Sequence, residues 1–227
     1  MNGEILTGYH ATKKKNEKGI LRDGFKISNS DNFHHWLGSG IYFWEDSYYA
    51  VEWNMIDLEK NGILTQKNML EKYIIFKATI KTEKNKIINL SSPRGTIMFE
   101  KFKKDVMNSA NTEQRERLRK INDDIFWVNF MSKKGLFDKY NIIIANYNKI
   151  INKGNNNKAD FIKYEQTQIC VKSNNFIENV SIFKNTKEIK DLYKIIKENR
   201  KNQKVKEVVV WDFLKKYSKS LQGMNIL

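Results

Sequence analysis

Of 227 residues, one is proline, one is cysteine and three are histidine. A single thiol, Cys170, excludes an intramolecular disulfide framework, and its place in the apolar run Ile169-Cys170-Val171 reads as a buried thiol rather than a reactive one. Two of the three histidines, His34 and His35, are adjacent, so they face different ways in an extended chain, and no cysteine lies near them. They are expected in a loop beside a pocket mouth, and no metal is expected. There is no charged-then-apolar leader over residues 1–19 and no apolar run near eighteen residues. The expectation is a cytoplasmic protein with no membrane partner. Phosphate-cradling Gly-x-Gly-x-x-Gly and P-loop motifs are missing, which excludes dinucleotide binding in the Rossmann manner. No internal repeat, useful coiled-coil heptad or Pro/Gly/Ser-rich linker divides the chain, so its length fits one domain with an appendage.

What is abundant is positive charge. The formal net charge is +15, and it is unevenly placed: residues 1–60 hold 7 Lys/Arg against 9 Asp/Glu, while residues 61–227 hold 34 against 17. An excess of this size attracts polyanions by steering and counterion release. A solvated lysine coat, of the kind an AT-rich coding sequence produces, fits the composition equally well.

Periodicity predicts strands over 5–10, 25–28, 40–44, 72–82, 87–90, 140–147, around Gln168 and over 175–184. Helices are predicted over 13–22, where Gly24 supplies a C-terminal cap with positive φ, and over 46–60, capped by Asp46. Pro93 suits the first turn of a helix running toward Met107. The section 93–136 reads as a helical insertion, with the mixed-charge stretch 113–120 as a solvated helix face. Ile189, Leu192, Tyr193 and Ile196 recur at helical spacing, and Val210, Phe213, Leu214, Tyr217 and Leu221 do so again. These two amphipathic helices form a basic extension over 186–227, expected to pack on the rest. Residues 184–227 carry 12 Lys/Arg against 5 Asp/Glu.

The chemistry sits near the start. Gly8-Tyr9-His10-Ala11-Thr12, then Gly19-Ile20 and Gly24-Phe25, then Leu37-Gly38-Ser39-Gly40-Ile41-Tyr42-Phe43, with Trp53 eleven residues beyond Tyr42, resembles the NAD pocket of ADP-ribosyltransferases of the poly(ADP-ribose) polymerase type. The resemblance covers the first quarter of the chain. It implies an α+β fold, an ADP-ribosyltransferase-like split antiparallel β-sandwich with helical insertions and a helical C-terminal extension. The catalytic domain would span 1–185. It also implies NAD+ as substrate, with His10 bonding ribose hydroxyls, the Ala11 backbone gripping the nicotinamide amide, and Thr12 beside it. Tyr42 and Trp53 would stack on the nicotinamide, and Ala50 stands where the family commonly has a serine bonding the amide.

The family's third element is a glutamate opening a late strand. The matching position here is Gln168, with Gln166, Glu165 and Asp160 as alternatives; strand alternation turns Gln166 and Gln168 one way and Glu165 the other. A glutamine orients a ribose hydroxyl but does not act as a general base near neutral pH. Single ADP-ribose transfer is therefore expected rather than polymer synthesis. The acceptor expected is a nucleic acid, RNA or DNA, in the setting of an intracellular toxin or phage-defence effector with a neutralising antitoxin protein. The alternatives are a protein side chain as acceptor, or a catalytically silent module of this fold that binds nucleic acid or protein. An NAD-dependent RNA 2′-phosphotransferase shares the fold, but would need basic residues in place of the Tyr42 and Gln168 pattern.

Overall fold

The computed structural model describes residues 3–28, 37–119, 124–148, 165–183 and 186–202. It is an α+β fold built on one seven-stranded mixed sheet. In chain order the strands are β1 (Gly3–Lys13), β2 (Ile41–Trp44), β3 (Tyr73–Glu83), β4 (Ile87–Asn89), β5 (Ile142–Asn148), β6 (Glu165–Val171) and β7 (Ile177–Ile182). The helices are α1 (Glu17–Asp23), α2 (Ser47–Lys60), α3 (Gln66–Lys72), α4 (Pro93–Ser109), α5 (Thr112–Arg119), α6 (Asp124–Lys133) and α7 (Thr186–Asn202). The strand order is β4-β5-β6-β2-β1-β3-β7, antiparallel throughout except for the parallel β4–β5 pair.

The strands form one hydrogen-bonded series rather than two separate sheets, and the centre of that series is thin. β1 pairs with β3 along its whole length, from Gly3↔Glu83 to Lys13↔Tyr73, but meets β2 only at Tyr9↔Trp44. Phe43 of β2 lies directly over Gly8 of β1: a Cβ on Gly8 would come within 2.8 Å of the Phe43 Cβ and 2.9 Å of the Ile80 Cδ1. Only glycine fits there, so the two strands approach closely at this point. Phe43, Ile41, Ile169 and Val171 of one half share a core with Phe76, Ala78 and Ile80 of the other. Two further cores flank it. Helices α4, α5 and α6 pack Phe99, Leu118, Trp127 and Met131 onto Ile143, Ala145 and Cys170 of β5 and β6. Helix α2 packs Ala50, Val51, Met55 and Leu58 against Ile75 of β3 and Tyr193 and Ile196 of α7.

Local chemistry explains most boundaries. The Asp46 side chain accepts from Tyr48 N at 2.7 Å and caps α2. Ser92 caps α4 by accepting from Gly95 N, with Pro93 in the first turn. Gly24 ends α1 with φ 81°.

Two elements depart from the sequence reading. The expected strand at 25–28 does not form; Ser28 alone bridges to Gly40. Its place in a ladder is taken by a side chain, since the Asn174 amide accepts from Phe25 N at 2.9 Å and donates to Phe25 O at 2.7 Å. Conversely, α3 was not anticipated, although Thr65 caps it by accepting from Asn68 N at 3.0 Å. Seven residues carry too little apolar periodicity to announce a helix. The second amphipathic segment of the C-terminal extension, around Val210 to Leu221, lies outside the described residues.

Candidate active-site cleft

Where β1 and β2 separate beyond the Tyr9↔Trp44 pair, a cleft of about 550 Å³ opens between the two halves of the sheet. His10, Ala11 and Thr12 line it from β1, Tyr42, Phe43 and Trp44 from β2, Trp53 from α2 and Gln168 from β6. The α1 segment closes another side with Gly19, Ile20, Gly24, Phe25 and Lys26. Residues far apart in sequence converge because β2 is the shared neighbour: Trp44 is in register with Tyr9 on one side and with Gln168 on the other.

The His10 side chain replaces the missing ladder. Its Nδ1 lies 2.8 Å from the Tyr42 carbonyl oxygen, which only accepts, so Nδ1 carries the proton and Nε2 is the ring's acceptor nitrogen. Phe25 and Phe43 sit edge-on to the ring, with centroids 4.8 and 5.7 Å away. Burial among these groups lowers the His10 pKa below its ordinary 6.5, against the opposing effect of the bond to Tyr42. The imidazole is thus neutral and fixed in tautomer at physiological pH. On the β2 side of β1, every second residue past Tyr9 turns its backbone N–H and C=O into the cleft instead of into a ladder, which makes amide recognition by main chain available at this level.

Tyr42 is fixed at both ends. Its hydroxyl donates to Gly38 O at 2.8 Å and accepts from Leu37 N at 2.9 Å, while its own carbonyl accepts from His10 Nδ1. Burial pushes the phenol pKa well above its usual value, so it stays neutral. Trp53 is 36% exposed and leans on Trp44 with centroids 6.0 Å apart and planes at 49°. Thr12 Oγ1 accepts from Asn16 Nδ2 at 2.8 Å.

Of the third-position residues, Gln168 lines the cleft. Gln166, on the same side by parity, is buried two residues back and donates to Glu52 Oε2 at 2.9 Å. It does not reach the cleft. Glu165 opens β6 in register with Asn148, and Asp160 lies outside the described residues, as do His34 and His35. Ala50 is not a lining residue; it is fully buried in the core that α2 shares with β3 and α7. Sequence reading missed the buried Glu52–Gln166 pair behind the β6 wall, which is invisible without the α2–β6 packing, and the Asn174 clamp on Phe25. Among the described residues no cluster of three or more His, Cys, Asp or Glu forms a metal site, and no helix is long and apolar enough to cross a membrane.

A protein of Methanocaldococcus jannaschii, bearing the name "Uncharacterized protein MJ0359", is 27% identical over an alignment of 194 residues that covers 77% of this chain and 86% of the relative. No family model matches the chain, and no solved structure matches it.

Proposed function

We propose that the protein is an NAD+-dependent mono-ADP-ribosyltransferase, of the split-sheet type in which the halves β1-β3-β7 and β2-β6-β5-β4 grip NAD+ between them. The observation that carries this reading is the convergence of His10, Ala11, Thr12, Tyr42, Trp53 and Gln168 on one cleft. In this reading the neutral His10 ring accepts a ribose hydroxyl proton through Nε2, the β1 backbone holds the nicotinamide carboxamide, and Tyr42 with Trp53 confines the ring. Gln168 orients the nicotinamide-side ribose through its amide.

The bond between nicotinamide nitrogen and ribose C1′ breaks with its electron pair going to nicotinamide, which leaves neutral. The resulting sugar cation is captured by a nucleophile that then loses a proton to water. Because Gln168 is neutral, catalysis rests on positioning, and the acceptor must be competent without a carboxylate base at that position. A base nitrogen of RNA or DNA meets that requirement, and the +15 net charge favours such a polymer. Action inside the cell as a toxin or defence effector, neutralised by a partner protein, is the setting proposed.

A second reading is favoured by Gln168 itself: a silent module that keeps the cleft and binds nucleic acid or protein without turnover. Incubating the protein with labelled NAD+ and, in parallel, total RNA, DNA and protein extract separates the two. Label in nucleic acid, lost in His10→Ala, supports transfer. Label in protein alone would redirect the acceptor. No label and no released nicotinamide would favour the silent module.

A further inference from the structure

A second cleft, of about 790 Å³, opens beside the first residues of β1. Residues of β1 with the same parity divide between the two: His10 and Thr12 line the first, Glu4 and Leu6 the second, and between them Phe43 seated on Gly8 forms the partition. From Leu6 to His10 is roughly 13 Å at about 3.3 Å per residue, so one extended polymer can occupy both openings.

The lining of this second cleft is rich in cations. It includes Lys84 and Lys86 from the β3–β4 connection, Arg94 from the first turn of α4, and Lys139 before β5. Among the described residues none of these four cations has a carboxylate within ion-pair distance, so none is tied into a salt bridge. The Tyr140 ring stands among them, with the Lys139 ammonium 5.2 Å from its centroid. The lining also carries two acids, Glu4 and Glu45. Cations beside an aromatic ring are what a single-stranded nucleic acid needs for its phosphates and one base, and carboxylates accept from exocyclic amines.

We propose that this second cleft binds a segment of single-stranded nucleic acid, with Lys84, Lys86, Arg94 and Lys139 on its phosphates and Tyr140 against a base. That this polymer is the acceptor for the first cleft rests on the transferase reading above; that the second cleft binds it does not.

The test measures binding of a fluorescent, mixed-sequence single-stranded RNA of about 20 nucleotides by anisotropy across a salt series, with the same RNA as a duplex in parallel. The triple variant Lys84→Gln, Arg94→Gln, Lys139→Gln alters exposed side chains only. At about 0.7 per lost phosphate contact on a single strand, it is expected to reduce the slope of log K against log salt by about 2 and to weaken binding at low salt by tenfold or more. A control with equal charge loss outside the cleft, Lys101→Gln, Lys104→Gln, Lys133→Gln, is expected to retain most of the slope. Equal losses in the two variants, or no loss in either, would overturn the proposal, as would duplex binding as tight as single strand. Nicotinamide release from NAD+ without polymer is recorded on the same samples and is expected to be the same in the cleft variant as in wild type. If neither protein releases nicotinamide while binding follows the expected pattern, the transferase reading fails and the second cleft stands.

Discussion

The division of labour in the first cleft is set at single residues. His10 is useful because it is neutral, and it is neutral because burial beside Phe25 and Phe43 outweighs the opposing effect of its bond to the Tyr42 carbonyl. With its folded pKa below 6.5, the unfolded chain takes up a proton at His10 before the folded one does. The contribution to stability is therefore complete above 6.5 and is lost as pH falls through 6.5 toward the lower folded value. Denaturant midpoints of His10→Gln against wild type should converge as pH drops from 7 to 5; a gap that widens instead would contradict a neutral, buried ring. Gly8→Ala should cost about 1–3 kcal/mol in a denaturant titration, because the added methyl meets Phe43 and Ile80 below 3 Å. Cys170 is fully buried beneath the helical layer, and burial pushes its thiol up to about 11. It should resist a thiol reagent in native protein at pH 8 and react at once in denaturant. Its burial was legible from the apolar run around it, whereas the Gly8 contact was not, since no local pattern announces that Phe43, 35 residues on, packs against that point.

At the level of elements, the cleft is an interrupted ladder. β1 keeps β3 along its full length and loses β2 after one pair, and the gap is where His10 and the β1 backbone face outward. The Asn174 side chain clamps the α1 wall of the gap by occupying both backbone groups of Phe25, beside the Ser28–Gly40 bridge and the packing of Phe25 in the core. Asn174→Ala should therefore destabilise by about 1–3 kcal/mol, the cost of leaving part-buried backbone groups unsatisfied, and should raise KM for NAD+ more than it lowers kcat. Steady-state kinetics on the variant provide the check; an unchanged KM would mean that this wall takes no part in binding. This element was misread from sequence for a physical reason. Phe25-Lys26-Ile27 alternates like a strand, and only the fold reveals that an amide from 149 residues away takes the place of a neighbouring strand. Helices α2 and α4 were legible because their caps are written in adjacent residues, Asp46 and Ser92-Pro93.

On the scale of the whole molecule, three cores among the described residues hold the sheet, and α7 belongs to one of them. α7 buries Tyr193 and Ile196 against α2 and joins it by the Arg200–Glu59 ion pair at 2.7 Å. Ile196→Ala should cost about 2–5 kcal/mol, the range for truncating a fully buried aliphatic side chain, and a thermal melt reads it directly. The amphipathic spacing of Ile189, Leu192, Tyr193 and Ile196 made this helix legible; its partner, the α2 face, was hidden because α2 is only weakly amphipathic and buries residues on several sides. The convergence of His10, Tyr42, Trp53 and Gln168 could be expected from resemblance, but the position of Gln168 opposite Trp44 is a matter of register between residues 124 apart in the chain. Register of that kind is a property of the sheet and not of any one segment.

The central claim is that this cleft breaks the bond between nicotinamide and ribose, and nicotinamide release from NAD+ by wild type, His10→Ala and Gln168→Glu tests it most directly. The account predicts measurable release by wild type, a fall of about 10²-fold or more in His10→Ala, and faster release in Gln168→Glu, where a carboxylate restores a base beside the sugar. Release that is unaffected by both substitutions would place the chemistry elsewhere in the molecule and contradict the assignment.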